Sequence, residues 1–396
     1  IIERVFKRSG KMDLLRSITE IRQLERMLAD EGALILKFWF HLSKDKQKKR
    51  LRSLEKNKET RWRITERDWD FFKLYDRFLK VSEEALRETS TAHAPWIVVE
   101  GSDAEYRAVR NAVSICDVST LGKMIVSGPD VVEALERLYP CHVADIKPGR
   151  SRYALLLNER GHLMDDGMIL REDESTFTLS FTSGGAGFAE MWLRDWIETW
   201  GLRVHVLDRT VSHGAINVTG PLAGELLRRA GVSDENRPKF LQHRRVHVAG
   251  VPCHVMRLSF TGEASFELHH QIDRSVELWQ TLMHLGAPLG IKPHGLQALF
   301  GMRTEKGHII VGQDTELDST PRRVNMDWAV KLEKPAFVGR DALLRTASII
   351  DERRLFGFTM DGPAPLEGSV IRVRGEVVGH VTSSWLSPKF GHSVLL

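Results

Sequence analysis

The apolar positions of this chain change rhythm near residue 105. Before that point Leu14, Leu15, Ile18, Ile21, Leu24 and Leu28 recur at helical spacing, which predicts an amphipathic helix over 12–31, ended by Gly32. The run ALILKFWF (33–40) is nearly all apolar and of strand length, as expected of a parallel strand covered on both faces. Ser43 is placed to cap a following helix, KDKQKKRLRSLEK, a further helical pattern spans roughly 66–88, and PWIVVEG (95–101) reads as a second buried strand. Strand, helices, strand is the pattern of an α/β sheet.

Beyond 105 the pattern becomes alternating and punctuated by glycine. KMIVSGPD, SRYALLLNERGHLMDDGMIL, TFTLSFTSG, AINVTGP, VAGVPCHVMRLSFTG and SFELHH predict strands and hairpins. Between them VVEALERLY, AEMWLRDWIETW, LAGELLRRAG and SVELWQTLMHLG predict helices, so this part is α+β. From about 355 only strands are predicted, and the chain stops on the apolar run SVLL (393–396), which suggests a cut end.

Composition narrows the function classes. With 42% apolar and 28% charged residues over 396 positions, the chain has the make-up of a globular protein of two or three domains, not of a disordered or collagenous one. Its longest apolar stretch is far short of the roughly 20 residues a spanning helix needs, and no signal peptide is visible. No membrane partner is expected. Cys116, Cys141 and Cys253 are far apart with no CxxC pair, so neither a zinc site, nor any other metal, nor a disulfide framework is expected, and a reducing cytosol is the default compartment. The net charge of +4 is unevenly spread: 22 of the 57 Lys+Arg but only 13 of the 53 Asp+Glu lie in the first 80 residues. Either a polyanion partner for the basic part or two pieces of different origin would account for that, and no nucleic-acid partner is expected.

Two acidic positions carry candidate chemistry. Asp165 and Asp166 sit among Leu163, Met164 and Met168, where a partly desolvated carboxylate has a raised pKa and can move protons, unless the pair simply ends a hairpin. Glu267 is flanked by Phe266 and Leu268, so it points to the other face of its strand, either toward solvent or toward a site.

The strings DVSTLGK (117–123), PGRSRYALLLNERGHLMDDG (148–167), RLSFTGEASFEL (257–268), RTEKGHIIVGQD (303–314) and VTSSWLSP (381–388) follow one another in an order that resembles the folate-binding glycine-cleavage T-protein (aminomethyltransferase) family. DVSTLGK and RTEKG resemble its sarcosine oxidase alpha-chain and dimethylglycine dehydrogenase branch in particular. The resemblance implies a disc of three subdomains around a central folate pocket, truncated here at both ends, with residues 105–350 forming the folate-binding domain and 351–396 a shortened β-barrel. It implies that tetrahydrofolate takes up a one-carbon unit from an oxidised N-methyl amine, giving 5,10-methylene-tetrahydrofolate. By position, Asp166 matches the aspartate that steers proton movement, and Glu267 the carboxylate that grips the pterin. Tyr153 and Phe260 match aromatic walls, while Leu121 and Thr182 match other lining positions. Phe260 stands where the glycine-cleavage branch has tyrosine, and Leu299 where it has a folate-contacting arginine. Oxidation needs FAD, and no GxGxxG follows a strand here, so the flavin is expected on another subunit or a missing domain.

Residues 20–107 resemble the second half of a family-two polyphosphate kinase, a polyphosphate:AMP phosphotransferase. That implies an incomplete α/β P-loop-kinase-like fragment over 1–104, with Lys48, Lys49, Arg50, Arg61 and Arg63 as phosphate contacts, although a basic helix face is equally a solvated one. No GxxxxGK[ST] is present, so no kinase activity is expected. The whole is expected to be chimeric, a kinase remnant joined to a folate domain; the alternatives are a polyphosphate-binding kinase remnant lacking its P-loop, with the basic helices as the functional part, and a non-catalytic folate carrier.

Overall fold

The structure, a computed structural model, describes all residues except 1, 7, 9, 32–34, 36, 42–43, 57–60, 62–63, 92–95, 101 and 349–352. The predicted cap at Ser43 and the phosphate contact at Arg63 lie outside the described residues. The chain divides into two compact units, Ile1–Ala104 and Glu105–Leu396.

In the first unit the helix Lys11–Asp30 lays Leu14 and Ile18 against Val5 and Val81, forming a small buried cluster. Two strands, β1 (Lys37–His41) and β2 (Trp96–Glu100), pair in parallel, as the apolar runs predict. The Lys37 ammonium is largely buried, and its charge is met by the Glu25 carboxylate at 2.8 Å. The single helix predicted over 66–88 is two helices, Glu66–Lys73 and Tyr75–Thr89, because Leu74 leaves helical geometry at φ −91°, ψ 7°.

The second unit is α+β, and two sheets carry most of it. The strands β3 (Ser114–Asp117), β9 (His213–Thr219), β10 (His243–Val248), β11 (Val251–Arg257), β12 (Ser265–Gln271) and β13 (Lys292–Pro293) are ordered β10-β11-β12-β9-β3-β13. The second sheet is ordered β5-β6-β7-β4-β8, from β4 (Gly122–Ser127), β5 (Ser151–Leu157), β6 (Leu163–Arg171), β7 (Thr176–Phe181) and β8 (His205–Asp208). Each sheet buries one face beneath two helices. Leu226 and Leu227 of Ala223–Arg229, with Leu278 and Leu282 of Ser275–Gly286, meet Val218, Phe266 and Leu268 of the first sheet. Leu135 and Leu138 of Val131–Leu138, with Leu193 of Ala186–Thr199, meet Leu156, Ile169 and Leu179 of the second.

Period-two alternation gives β5 and β6 a second apolar face. There Leu155, Leu157 and Leu163 pack on Ile309, Val324, Ala329 and Phe337 from the segment that follows the helix Leu296–Lys306. The C-terminal strands β14 (Phe358–Met360), β17 (Ser384–Leu386) and β18 (Ser393–Leu395) form one small sheet, and β15 (Val370–Val373) with β16 (Glu376–His380) forms a hairpin. Trp385 of β17 packs on Ala298 and Met302, which fastens this last sheet to the helix Leu296–Lys306.

Candidate functional site

A cavity of about 2010 Å³ opens between the two large sheets, and Leu121, Tyr153, Asp166, Thr182, Phe260 and Glu267 all line it. Residues up to 146 positions apart in sequence are thereby brought around one space.

Asp165 and Asp166 lie inside β6, not in a turn; the hairpin turn is made earlier, by Asn158 and Gly161. As neighbours on a strand they serve opposite faces. Asp165 is buried and accepts the Thr182 hydroxyl at 2.7 Å and the Thr182 backbone N–H at 3.1 Å. Thr182 therefore lines the cavity with its hydroxyl already committed, and the loop leading into the helix Ala186–Thr199 is pinned to β6. Asp166 accepts the Tyr153 hydroxyl at 2.7 Å. Burial pushes the Asp166 carboxyl up to about 6, the Tyr153 hydrogen bond opposes that rise, and the charge on Asp165 adds to it. Burial also pushes the Tyr153 phenol well above its usual range, so it remains a donor. Its ring stacks on Trp328 at 5.6 Å between centroids.

Glu267 projects from β12 on the side opposite Phe266 and Leu268, and it is buried, so the solvent-facing alternative fails. Cross-strand pairing sets Asn217 of β9 directly beside it, and His269, two residues on, brings Nε2 to 3.2 Å from Glu267 Oε2. Asn217 gives its amide N–H to Ser265 Oγ at 2.9 Å, while its Oδ1 is buried without a partner among the described residues. His294 repeats this arrangement. The single proton of the Ser114 hydroxyl goes to the Lys292 carbonyl at 2.5 Å, so His294 Nδ1, 2.8 Å away, must donate to that hydroxyl. His294 Nε2 is then a bare acceptor, and it too is buried without a partner among the described residues. Burial pushes this imidazole down to about 4, which keeps it neutral.

Leu121 sits in a turn whose carbonyl, with that of Ser119, holds the buried Lys123 ammonium at 2.7 and 2.8 Å. Burial lowers the Lys123 pKa, and the charge of Glu267 leads the opposition to that shift. Phe260 stacks on His308 at 5.7 Å, and its carbonyl accepts His308 Nδ1 at 2.9 Å. Leu299 also lines the cavity, and the cations Lys147, Arg150, Arg152 and Lys331 stand on the wall. Sequence reasoning missed Asn217, His294 and Trp328, because only pairing across strands and loops reveals them. Lys48, Lys49 and Arg50 are exposed on the helix Lys44–Lys56, and Arg61 is exposed beyond it, all in the first unit.

The model of the GCVT N-terminal domain matches residues 67–334, and that of the glycine cleavage T-protein C-terminal barrel domain matches 353–396. The polyphosphate kinase 2 (PPK2) model matches residues 1–121. An aminomethyltransferase of Symbiobacterium thermophilum is 33% identical over 298 residues, 74% of this chain and 80% of that protein. The sarcosine oxidase subunit alpha of a Corynebacterium species is 29% identical over 73% of this chain, which spans only 32% of that subunit. Among solved structures, the glycine cleavage system aminomethyltransferase T of Bartonella henselae superposes with a TM-score of 0.69 at 28% identity, covering 74% of this chain and 80% of the other.

Proposed function

Because the chain belongs to the glycine cleavage T-protein family, we propose that its second unit binds tetrahydrofolate in the cavity between the two large sheets and serves in one-carbon transfer to it. The observation that carries this reading is a wall of buried acceptors: Glu267, Asn217 Oδ1 and His294 Nε2 all border the cavity. Asn217 Oδ1 and His294 Nε2 have no partner among the described residues, and a buried acceptor left without a donor is destabilised by roughly 1–3 kcal/mol, while Glu267, met by His269 at one oxygen, keeps further acceptor sites. A flat ligand rich in N–H groups, flanked by apolar and aromatic walls, satisfies them, and a pterin is such a ligand. Glu267 would take two adjacent N–H donors through its two oxygens. Tyr153 with Trp328, and Phe260 with His308, would present the aromatic faces, and Leu121 would close an apolar edge. Lys147, Arg150, Arg152 and Lys331 would meet the tail carboxylates that Leu299 cannot.

Bound tetrahydrofolate would supply the nitrogens that accept the one-carbon unit. Asp166 would hold and move the proton, since a carboxyl poised near pH 6 exchanges protons readily around neutrality. Tyr153 orients it by a fixed donor, and Thr182 acts through Asp165 to position the neighbouring loop. The DVSTLGK and RTEKG strings, with the Corynebacterium subunit's similarity, favour an oxidised N-methyl amine as donor, with the flavin carried by another subunit or domain. Three free thiols suit a reducing compartment such as the cytosol.

Titration with tetrahydrofolate, followed by the fluorescence of Trp328 and its neighbours, tests the reading. Saturable quenching is expected, weakened at least tenfold in Glu267→Ala. Asp166→Asn should keep that binding while transfer falls by about 10²-fold or more. Equal affinity in wild type and Glu267→Ala would overturn the assignment.

A further inference from the structure

We propose that Glu172, His243 and His254 form a zinc-class divalent cation site at the seam between the two large sheets, apart from the cavity. One ligand atom from each lies within 4.8 Å of the others, and none of the three residues borders the cavity. His243 begins β10, His254 lies on the neighbouring β11, and Glu172 follows directly on β6, so the trio joins one sheet to the other. His254 Nε2 is 2.8 Å from His243 Nδ1 and 3.4 Å from Glu172 Oε1. A tetrahedral ion with N and O ligands at about 2.0–2.1 Å sets its ligand atoms roughly 3.3 Å apart. The imidazole–carboxylate edge already has that length, and the imidazole–imidazole edge needs to open by about half an ångström.

The surrounding hydrogen bonds are those that hold metal ligands in place. His243 Nε2 is 3.0 Å from the Arg171 carbonyl, which can only accept, so the ring proton sits on Nε2 and the Nδ1 lone pair faces the other two ligands. Glu172 accepts the Thr178 hydroxyl at 2.7 Å on one oxygen and the Arg245 guanidinium at 3.2 Å on the other. In the metal-free chain His254 Nε2 is the donor to His243 Nδ1; on binding, that proton moves to His254 Nδ1, and Nε2 is freed for the cation with no net proton released. The Glu172 carboxylate supplies the balancing negative charge, while Arg245, whose side chain is 67% exposed, opposes it through solvent. Three protein ligands leave the fourth position to water. No cysteine takes part in this trio, so the wide spacing of Cys116, Cys141 and Cys253 does not bear on it.

Arg150 pairs with Gln242 beside the trio, and Arg150, Ser151, Phe240 and Leu241 line the cavity. A bound cation would thus clamp the end of β6 to β10 and β11 behind the cavity wall, which is a bracing role and not a catalytic one.

The test uses the full chain stripped with chelator and titrated calorimetrically with Zn²⁺, with Co²⁺ absorption as a second readout. One equivalent with a dissociation constant in the micromolar range or tighter, tetrahedral Co²⁺ bands and a raised thermal midpoint are expected. His254→Ala should weaken binding at least 100-fold. Glu172→Gln, which keeps the side chain's size, should weaken it about 10- to 100-fold and abolish the thermal shift. Failure of the wild-type chain to take up an equivalent overturns the proposal whatever the variants do. So does an equivalent retained by both variants with unchanged affinity, since that ion would sit elsewhere.

Discussion

At the scale of single residues, Asp166 decides the most. Its carboxyl is raised to about 6 from the ordinary 3.8, chiefly by burial. A carboxyl raised in the folded state favours folding below about pH 4, and that contribution is lost as pH climbs from about 4 through about 6. Asp166→Asn removes the titration. The thermal midpoint of the variant relative to wild type should therefore rise between pH 4 and pH 7; a difference that stays flat over this interval would contradict the assigned environment. Transfer activity should show a limb near pH 6 that belongs to the same group. Tyr153→Phe deletes a hydrogen bond that favours the ionised form, so it should move that limb to higher pH, which a pH–rate profile would detect.

At the scale of elements, β6 is the strand that the site depends on. A side chain at Gly167 would place its Cβ 1.8 Å from the Ser180 carbonyl oxygen of β7, a backbone atom that cannot yield. Gly167→Ala should force β6 and β7 apart next to Asp166. We expect a fall in thermal midpoint together with lost tetrahydrofolate binding; a variant with wild-type values in both would show that the two strands are not so closely apposed. The strands of the second unit were legible because their alternation is strong, and Asp166 and Glu267 were legible from the strings that contain them. The direction of Glu267 was only half legible. Alternation fixed which face it left, but whether that face met solvent or a cavity depended on the second sheet. Asn217 and His294 left no signal, because each becomes an orphan only when Ser265 or Ser114 takes up its other polar atom. Glu172, His243 and His254 were invisible for a related reason: two come from neighbouring strands and the third from the other sheet. The break at Leu74 carries no glycine or proline, so periodicity ran straight across it.

At the scale of the whole molecule the two units rest on very different interiors. The first has a small apolar cluster around Leu14, Ile18, Val5 and Val81 and a two-stranded sheet, whereas the second has three apolar layers. Calorimetry should resolve two transitions, the lower belonging to the first unit; a single cooperative transition would refute that order. Within the second unit Arg303 and Asp314 form a fully buried ion pair, and Asp314 also accepts the Thr382 hydroxyl at 2.6 Å and the Ser383 hydroxyl at 2.5 Å. Asp314→Asn leaves the guanidinium without its counter-charge and should lower stability by about 3–5 kcal/mol, which denaturant unfolding would measure. The C-terminal strands should loosen first in hydrogen exchange, because Ser383 and Thr382 are their link to that pair.

The cavity has walls drawn from separately packed layers, and this gives its occupant a second role. Anything lodged there touches both sheets and the segment beyond the helix Leu296–Lys306 at once, so it acts as mortar that adds to the packing between them. At a ligand concentration 100 times its dissociation constant, the added resistance to unfolding is about 2.7 kcal/mol. Melting curves would then report ligand level as faithfully as any assay of turnover, and a cell short of the ligand would hold a softer protein.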